Sequence, residues 1–405
     1  METRKTLRVR WAYLAAGVAA MLFAGVIYAW SILKAPLQEA FGWTAPQLAL
    51  NFTLTMCFFC LGGFVSSLAA KRVGGKCVIC AGAILTAVGF ILTSRLNGTS
   101  VISLYIAYGL LAGFGIGCAY VTTISTVSAW FPDKKGFCSG CLMMGFGAST
   151  LLLGSLANGL IDSIGWRRTF LLLGAVIGAV ILLVGLFLRL PDSKVVLPQV
   201  KKVHNKAAED FAPIDYTTGQ MIRRFTFWRA FLCIVLLASV GNAVISFARD
   251  VVLSVGASAG AATTMVGVLA VCNGLGRIAT GALFDAAGRK VTMLTANITA
   301  ILAAAVTLLA VVTSSVVLCI GGLCLVGFSY GACPTLSASF IAAFYGNRYF
   351  ATNFSVMNFN LMGASVVATL ASSILTSSGG YTAPLLMLLI LSMVALVLNL
   401  SIKKP

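Results

Sequence analysis

Apolar runs of about 20 residues recur twelve times along the chain. They lie near 11–33, 46–70, 77–95, 101–129, 138–160 and 169–189, then near 228–248, 260–283, 291–312, 315–341, 351–374 and 382–401. About 20 apolar residues in a helix span the hydrocarbon core of a bilayer. Inside lipid the backbone must satisfy its own N–H and C=O groups, which leaves helices or closed barrels. The runs show no strand-like alternation, so the expected fold is all-α, with twelve membrane-spanning helices. Composition agrees: 60% of the 405 residues are hydrophobic and 9% are charged, against about 45–50% and about 25% in soluble domains. A soluble protein is excluded. The 12 Cys sit mostly in apolar runs, where a thiol behaves as a small apolar group.

The runs divide into two sets of six. Residues 1–190 form one expected bundle, 191–226 a linker and 227–405 a second bundle. The linker is the one long polar stretch, with Pro191, Pro198, Pro213 and Lys201-Lys202 near Lys206. Thr217 and Gln220 have capping-box spacing ahead of an amphipathic piece, Met221 to Phe227, expected to lie along the membrane surface.

The net charge of +18 suggests nucleic acid until its distribution is read. With the N-terminus inside, 22 of the 28 Lys and Arg fall on inside ends and loops, five fall on outside loops, and Arg277 lies within a span. The positive-inside rule then places both termini and the linker in the cytoplasm of a cell whose inner (plasma) membrane holds the protein. The charge reports topology, so no nucleic-acid partner is expected. The first run, preceded by Arg4, Lys5, Arg8 and Arg10, is too long for a signal peptide and is followed by further spans, so it reads as an uncleaved helix.

Two loops repeat between the halves. Ser67-Leu-Ala-Ala-Lys-Arg-Val-Gly-Gly-Lys76 follows the second run, and Gly281-Ala-Leu-Phe-Asp-Ala-Ala-Gly-Arg-Lys290 follows the eighth. The second resembles the short cytoplasmic loop signature of the major facilitator superfamily. In that signature Gly281 allows close helix approach and Gly288 a tight turn. Asp285 is expected to face the positive N-terminus of the eleventh helix, near Arg348, latching one conformation; Arg289 and Lys290 complete the motif. The first copy departs from the signature, with Lys71 in place of the acid. Three further stretches, Tyr28–Trp43, Trp130–Gly140 and Asn273–Arg277, resemble the oxalate/formate antiporter family and, more distantly, monocarboxylate transporters.

That resemblance implies a transporter working by alternating access, with helices one, four, seven and ten lining a central site. It also implies that Arg277, in the eighth helix, binds a substrate carboxylate. Oxalate carriers add a lysine in the eleventh helix; here Leu361 falls near that position. Monocarboxylate carriers have an acid four residues before the arginine; here it is Asn273.

The residues themselves support this chemistry. An intramembrane charge is a functional hypothesis by default, and Arg277 lies eight residues before Asp285, about 12 Å along a helix. A guanidinium fork suits a carboxylate, and Asn273 shares its face one turn earlier. Tyr28, Trp30, Tyr120 and Tyr330 are candidates to meet carboxylate oxygens while their rings pack on a small apolar tail. Asn51, Asn353 and Asn360 are further candidates; the last two are seven apart and share a helix face. The Gly109, Gly113, Gly117 series reads as close helix packing, and Gly327, Gly331 and Pro334 as a flexible or kinked segment.

All ten acids, Glu2, Glu39, Asp133, Asp162, Asp192, Glu209, Asp210, Asp215, Asp250 and Asp285, fall in tails, loops or span ends. Proton or sodium symport normally uses a buried carboxylate, so uniport or exchange of a small organic anion, chiefly a monocarboxylate, is the favoured reading. The alternatives are a drug– or other solute–proton antiporter and a non-transporting membrane sensor of the same fold. Enzyme chemistry is not expected: one histidine, His204, and no nucleophile–base pattern are present. No cofactor or metal is expected, and the chain is expected to function as a monomer in the lipid bilayer.

Overall fold

The computed structural model describes residues 2–98, 100–191, 197–198 and 215–403. Lys201-Lys202, Lys206 and Pro213 of the linker lie outside the described residues. Among those described, eleven helices are long and apolar enough to cross a membrane. One of them, Gly260–Val312, has 53 residues, about 80 Å of helix and far more than one crossing. Its backbone breaks at Gly288, where φ is +71°, a conformation open to glycine and costly for other residues. Two crossings meet there, and the total is twelve.

In chain order the crossings are Val9–Ala29, Leu50–Val73, Gly75–Ser94, Val101–Ser128, Lys135–Ile164 and Trp166–Phe187, then Phe225–Ser254, the two parts of Gly260–Val312, Val316–Tyr345, Phe350–Ser378 and Thr382–Leu400. The seventh and tenth run past their expected ends near 248 and 341. Hydropathy stops at Arg249-Asp250 and fades after Ile341, but backbone hydrogen bonding carries the helix on.

The chain forms two compact units. One comprises Met1–Asp133 with Cys141–Val200; the other comprises Lys134–Gly140 with Lys201–Pro405. The first turn of the fifth span therefore groups with the second unit. Within the first unit, the glycine series of the fourth span lies along a matching row of the second. A Cβ on Gly109 would stand 3.3 Å from Asn51 Oδ1, one on Gly113 2.7 Å from Thr55 O, and one on Gly117 would overlap Phe59 O. Both rows step by four residues, so the two backbones touch along a continuous seam. In the second unit, Val244 and Phe247 of the seventh span, Leu269 of the eighth, Leu323 of the tenth and Leu388 of the twelfth share one buried cluster.

Several spans depart from regular α-helix. Gly25–Ala29 in the first is a tight 3₁₀ segment. Tyr105–Ala112 in the fourth and Thr150–Gly154 in the fifth are π-helical. The eleventh is interrupted between Phe350–Met357 and Asn360–Ser378. The tenth, Val316–Tyr345, continues through Pro334 as one helix.

The linker's end is shorter as a helix than its sequence suggests. The capping box forms, with Thr217 N donating to Gln220 Oε1 at 2.9 Å and Gln220 N to Thr217 Oγ1 at 3.3 Å. The helix it starts is Thr218–Ile222. Arg224 is extended, and the seventh span begins at Phe225. Met221–Phe227 is thus not one amphipathic element; an extended residue divides it.

The glycine seam makes a direct prediction. Gly117→Leu should cost about 1–3 kcal/mol, as overpacking does in a filled core, and lower the thermal unfolding temperature in detergent. Gly159→Ala, where a Cβ meets nothing within 4 Å, should leave it unchanged. Equal melting of both variants would contradict the seam.

Candidate functional site

Arg277 lies in the eighth span and is 4% exposed. Its Nε donates to Asn273 Oδ1 at 3.0 Å. The four-residue spacing stacks the two side chains on one helix face. A planar guanidinium tied at Nε has the plane of its fork fixed.

Glycines set the backbone beneath this pair. A Cβ on Gly331 of the tenth span would overlap Asn273 O and stand 3.2 Å from Arg277 N. One on Gly327 would overlap Leu269 O, and one on Gly276 would overlap Phe328 O. Gly327 and Gly331 therefore serve close packing of the eighth and tenth spans, where the sequence suggested a flexible segment. From the other side, a Cβ on Gly140 would stand 2.6 Å from Arg277 O. The eighth span is held against backbone on two faces at the level of Arg277.

The other candidates of the second unit are placed differently. Tyr330 packs over Gly241 of the seventh span, where a Cβ would meet its ring. Asn360 is buried and its Nδ2 donates to Ser337 Oγ at 3.1 Å and to Met357 O at 2.6 Å. It braces the interruption in the eleventh span against the tenth. Asn353 accepts from Thr218 Oγ1 at 2.8 Å and donates to Tyr216 O at 3.0 Å. Its amide fastens the linker's end, a structural commitment that a helix-face pattern does not reveal. The shared face of Asn353 and Asn360 is also broken by the interruption between them.

In the first unit, Tyr28 and Tyr120 meet at a common ring. Phe146 lies 5.4 Å from Tyr28, edge-on, and 4.9 Å from Tyr120, which also packs 5.0 Å from Phe59. Trp30 is committed elsewhere: its Nε1 donates to Leu48 O at 3.0 Å and its ring lies 4.6 Å from Tyr108. Asn51 is fully buried beside Gly109, and its amide atoms have no hydrogen-bond partner among the described residues.

The loop motif corrects another expectation. Asp285 accepts from Gly136 N at 2.9 Å and Phe137 N at 2.8 Å, capping the start of the fifth span where the sequence pointed to the eleventh. A Cβ on Gly281 would overlap Gly136 O, so that glycine does permit close approach. Gly288 makes the turn, and the side chain of Arg289 lies over Phe344, 5.5 Å from its ring. Lys290 is exposed.

The acid that meets the approach to the eleventh span is Asp215. Its Oδ1 accepts from Asn347 N at 2.9 Å and Arg348 N at 3.1 Å. The sequence shows it only as one acid in a polar linker. A second unforeseen interaction is the part-buried ion pair of Arg10 and Asp133, at 2.7 Å, with Arg10 also 4.9 Å from the Phe131 ring. Arg10 reads as a topology charge in sequence; its partner 123 residues away leaves no local signal.

Comparison with known proteins identifies the family and the fold. Residues 12–369 match the family model of the Major Facilitator Superfamily. The oxalate:formate antiporter of Oxalobacter formigenes is 26% identical over 377 residues, covering 92% of this chain and 87% of that one. Human monocarboxylate transporter 11 is 31% identical over 165 residues, 39% of this chain and 35% of that one. In structure, the fucose:proton symporter of E. coli superposes with a TM-score of 0.69 at 15% identity, over 97% of this chain and 98% of that one.

Asp285→Ala removes the acceptor for two backbone N–H groups. It should cost about 0.5–2 kcal/mol, the range for losing a helix N-cap, and speed hydrogen–deuterium exchange at Gly136 and Phe137. Unchanged protection of both amides would contradict the cap.

Proposed function

The chain belongs to the Major Facilitator Superfamily, and from that premise we propose that it carries small organic anions, chiefly monocarboxylates, by uniport or exchange through alternating access. It is a multi-pass membrane transporter with a small-molecule substrate. The observation that carries the substrate class is the buried guanidinium of Arg277, held in plane by Asn273 inside a membrane span. A carboxylate received there is a charge-assisted, geometrically matched partner for the guanidinium. Two relatives, an oxalate:formate antiporter and a monocarboxylate transporter, support the same class. The proposed setting is the plasma membrane, with both termini and the linker cytoplasmic, supported by the distribution of Lys and Arg.

Two features favour one negative charge and no obligatory proton. Among the described residues no Asp or Glu is buried, so the spans offer no interior carboxylate of the kind proton coupling normally uses. The eleventh span, Phe350–Ser378, contains no Lys or Arg. Near the expected lysine position stand Leu361 and Asn360, the latter bonded to Ser337 and Met357. A second carboxylate buried without a cation costs several kcal/mol, whereas one carboxylate with a neutral or hydroxylated tail suits a single arginine.

Counterflow of a labelled monocarboxylate in proteoliposomes tests the reading, since a sensor gives none. Arg277→Ala should lower exchange about 30-fold or more, the factor equivalent to the ~2 kcal/mol lower bound for losing one partner of a buried charged contact. Arg277→Lys should recover little of it, because the fork is lost. Normal exchange by well-inserted Arg277→Ala protein would sink the proposal.

Counterflow at equal pH on both sides should also persist with a protonophore. Uphill accumulation driven by a pH gradient alone, at one proton per substrate, would point to proton coupling instead.

Leu361→Lys should weaken monocarboxylate exchange and improve dicarboxylate binding, with Met362→Lys as the control for position. If the unmodified protein exchanges oxalate in preference to lactate or formate, the charge argument is wrong.

A further inference from the structure

We propose that the basic end of the second unit is a binding site for an anionic phospholipid, with the phosphate at Arg229 and Lys403 and the acyl chains along the seventh and twelfth spans. This inference concerns a surface separate from Arg277 and holds whatever the substrate is.

The two spans meet at this end. Arg229 Nη1 donates to Ser401 O at 2.9 Å, Thr226 Oγ1 donates to Lys403 O at 3.0 Å, and Cys233 Sγ contacts Ala395 O at 3.3 Å. Arg289 reaches the same terminus, with Nη2 3.5 Å from Ile402 O, and its Nη1 is buried without a partner. The carbonyls just past the twelfth span thus gather arginines from the seventh span and from the turn after the eighth, as the negative end of a helix does.

Carbonyl dipoles compensate only part of this charge. Arg223, Arg224 and Lys290 lie in the adjoining segments and are exposed. Among the described residues no carboxylate pairs with Arg229, Arg289 or Lys403. The described acids of the unit lie elsewhere: Asp285 caps Gly136 and Phe137, Asp215 binds the 347–348 backbone, and Asp250 stands at the far end of the seventh span.

An apolar surface adjoins the charge. Phe225, Trp228 and Leu232 project from one face of the seventh span, and Phe225 is 81% exposed. Val397 and Leu400 project from the twelfth, with Leu400 70% exposed. Trp228 Nε1 donates to Ile222 O at 2.8 Å, placing the indole at the end of the span as an interfacial anchor. Exposed hydrocarbon below a cationic rim matches a lipid, whose acyl chain and phosphate are joined in the same order. A juxtamembrane cation is worth about fivefold in affinity for an anionic lipid surface.

The test is lipid retention by the purified full-length protein, measured by native mass spectrometry after equilibration with mixed phosphatidylglycerol and phosphatidylcholine vesicles. The unmodified protein should retain phosphatidylglycerol selectively. Lys403→Gln and Arg229→Gln should each lower that retention about fivefold, and added salt should lower it further. Arg168→Gln, in the first unit and on the opposite membrane side by charge topology, should not. Because Arg229 also holds Ser401 O, its loss can unfold the end of the helix; Lys403→Gln removes the charge alone and decides in that case. Equal retention of the two lipids, or retention unchanged by Lys403→Gln, would overturn the proposal.

Discussion

A charge within hydrocarbon must be held by protein, because no water is there to solvate it. Arg277 lives under that constraint, and much of the second unit's local architecture follows from it. Its Nε is tied to Asn273 on the same helix face. The backbone carrying both residues is pressed against the tenth span through Gly276, Gly327 and Gly331. Such contacts leave the helix little room to slide or rotate, so the backbone beneath the guanidinium has a defined position. Preorganisation of this kind lowers the cost of binding.

The acids occupy a complementary set of places. Asp285 and Asp215 each bind two backbone N–H groups at the start of, or just before, a membrane helix. Asp133 neutralises Arg10 at the end of the first span. Carboxylates thus serve helix ends and loops, where partial charges and partial exposure favour them. The described residues of the second unit include one buried arginine, Arg277, with Asn273 bonded to its Nε. That separation leaves no buried Asp or Glu among the described residues.

The twelve crossings were legible because length and hydropathy over 20 residues are averaged properties that survive local errors. Gly288 and Gly281 were legible because a glycine at a turn or a close approach has a specific backbone reason. The interruptions were not. A 3₁₀ turn at Gly25–Ala29, the π segments at Tyr105–Ala112 and Thr150–Gly154, and the break before Asn360 change hydrogen-bond register without changing hydropathy. Side-chain destinations were hidden for a related reason. Trp30 and Asn353 looked like candidates for a polar ligand, but both bind other elements of the protein. The sequence marks Asp285 as a helix-terminus acid without showing that the terminus is that of the fifth span. Partners more than a hundred residues away depend on how helices pack, and a single sequence carries no local trace of that.

The central claim is that the substrate carboxylate sits on the Arg277 guanidinium. The most direct measurement is the dipolar contact between a ¹³C-carboxylate substrate and ¹⁵N-guanidinium arginines in the reconstituted protein by solid-state NMR. Lactate or formate should show a carbon–nitrogen separation of about 4 Å, as a charge-assisted carboxylate–guanidinium pair requires, and Arg277→Lys should abolish that signal. A protein that exchanges the substrate while showing no contact, or one that keeps the contact after Arg277→Lys, would contradict the account.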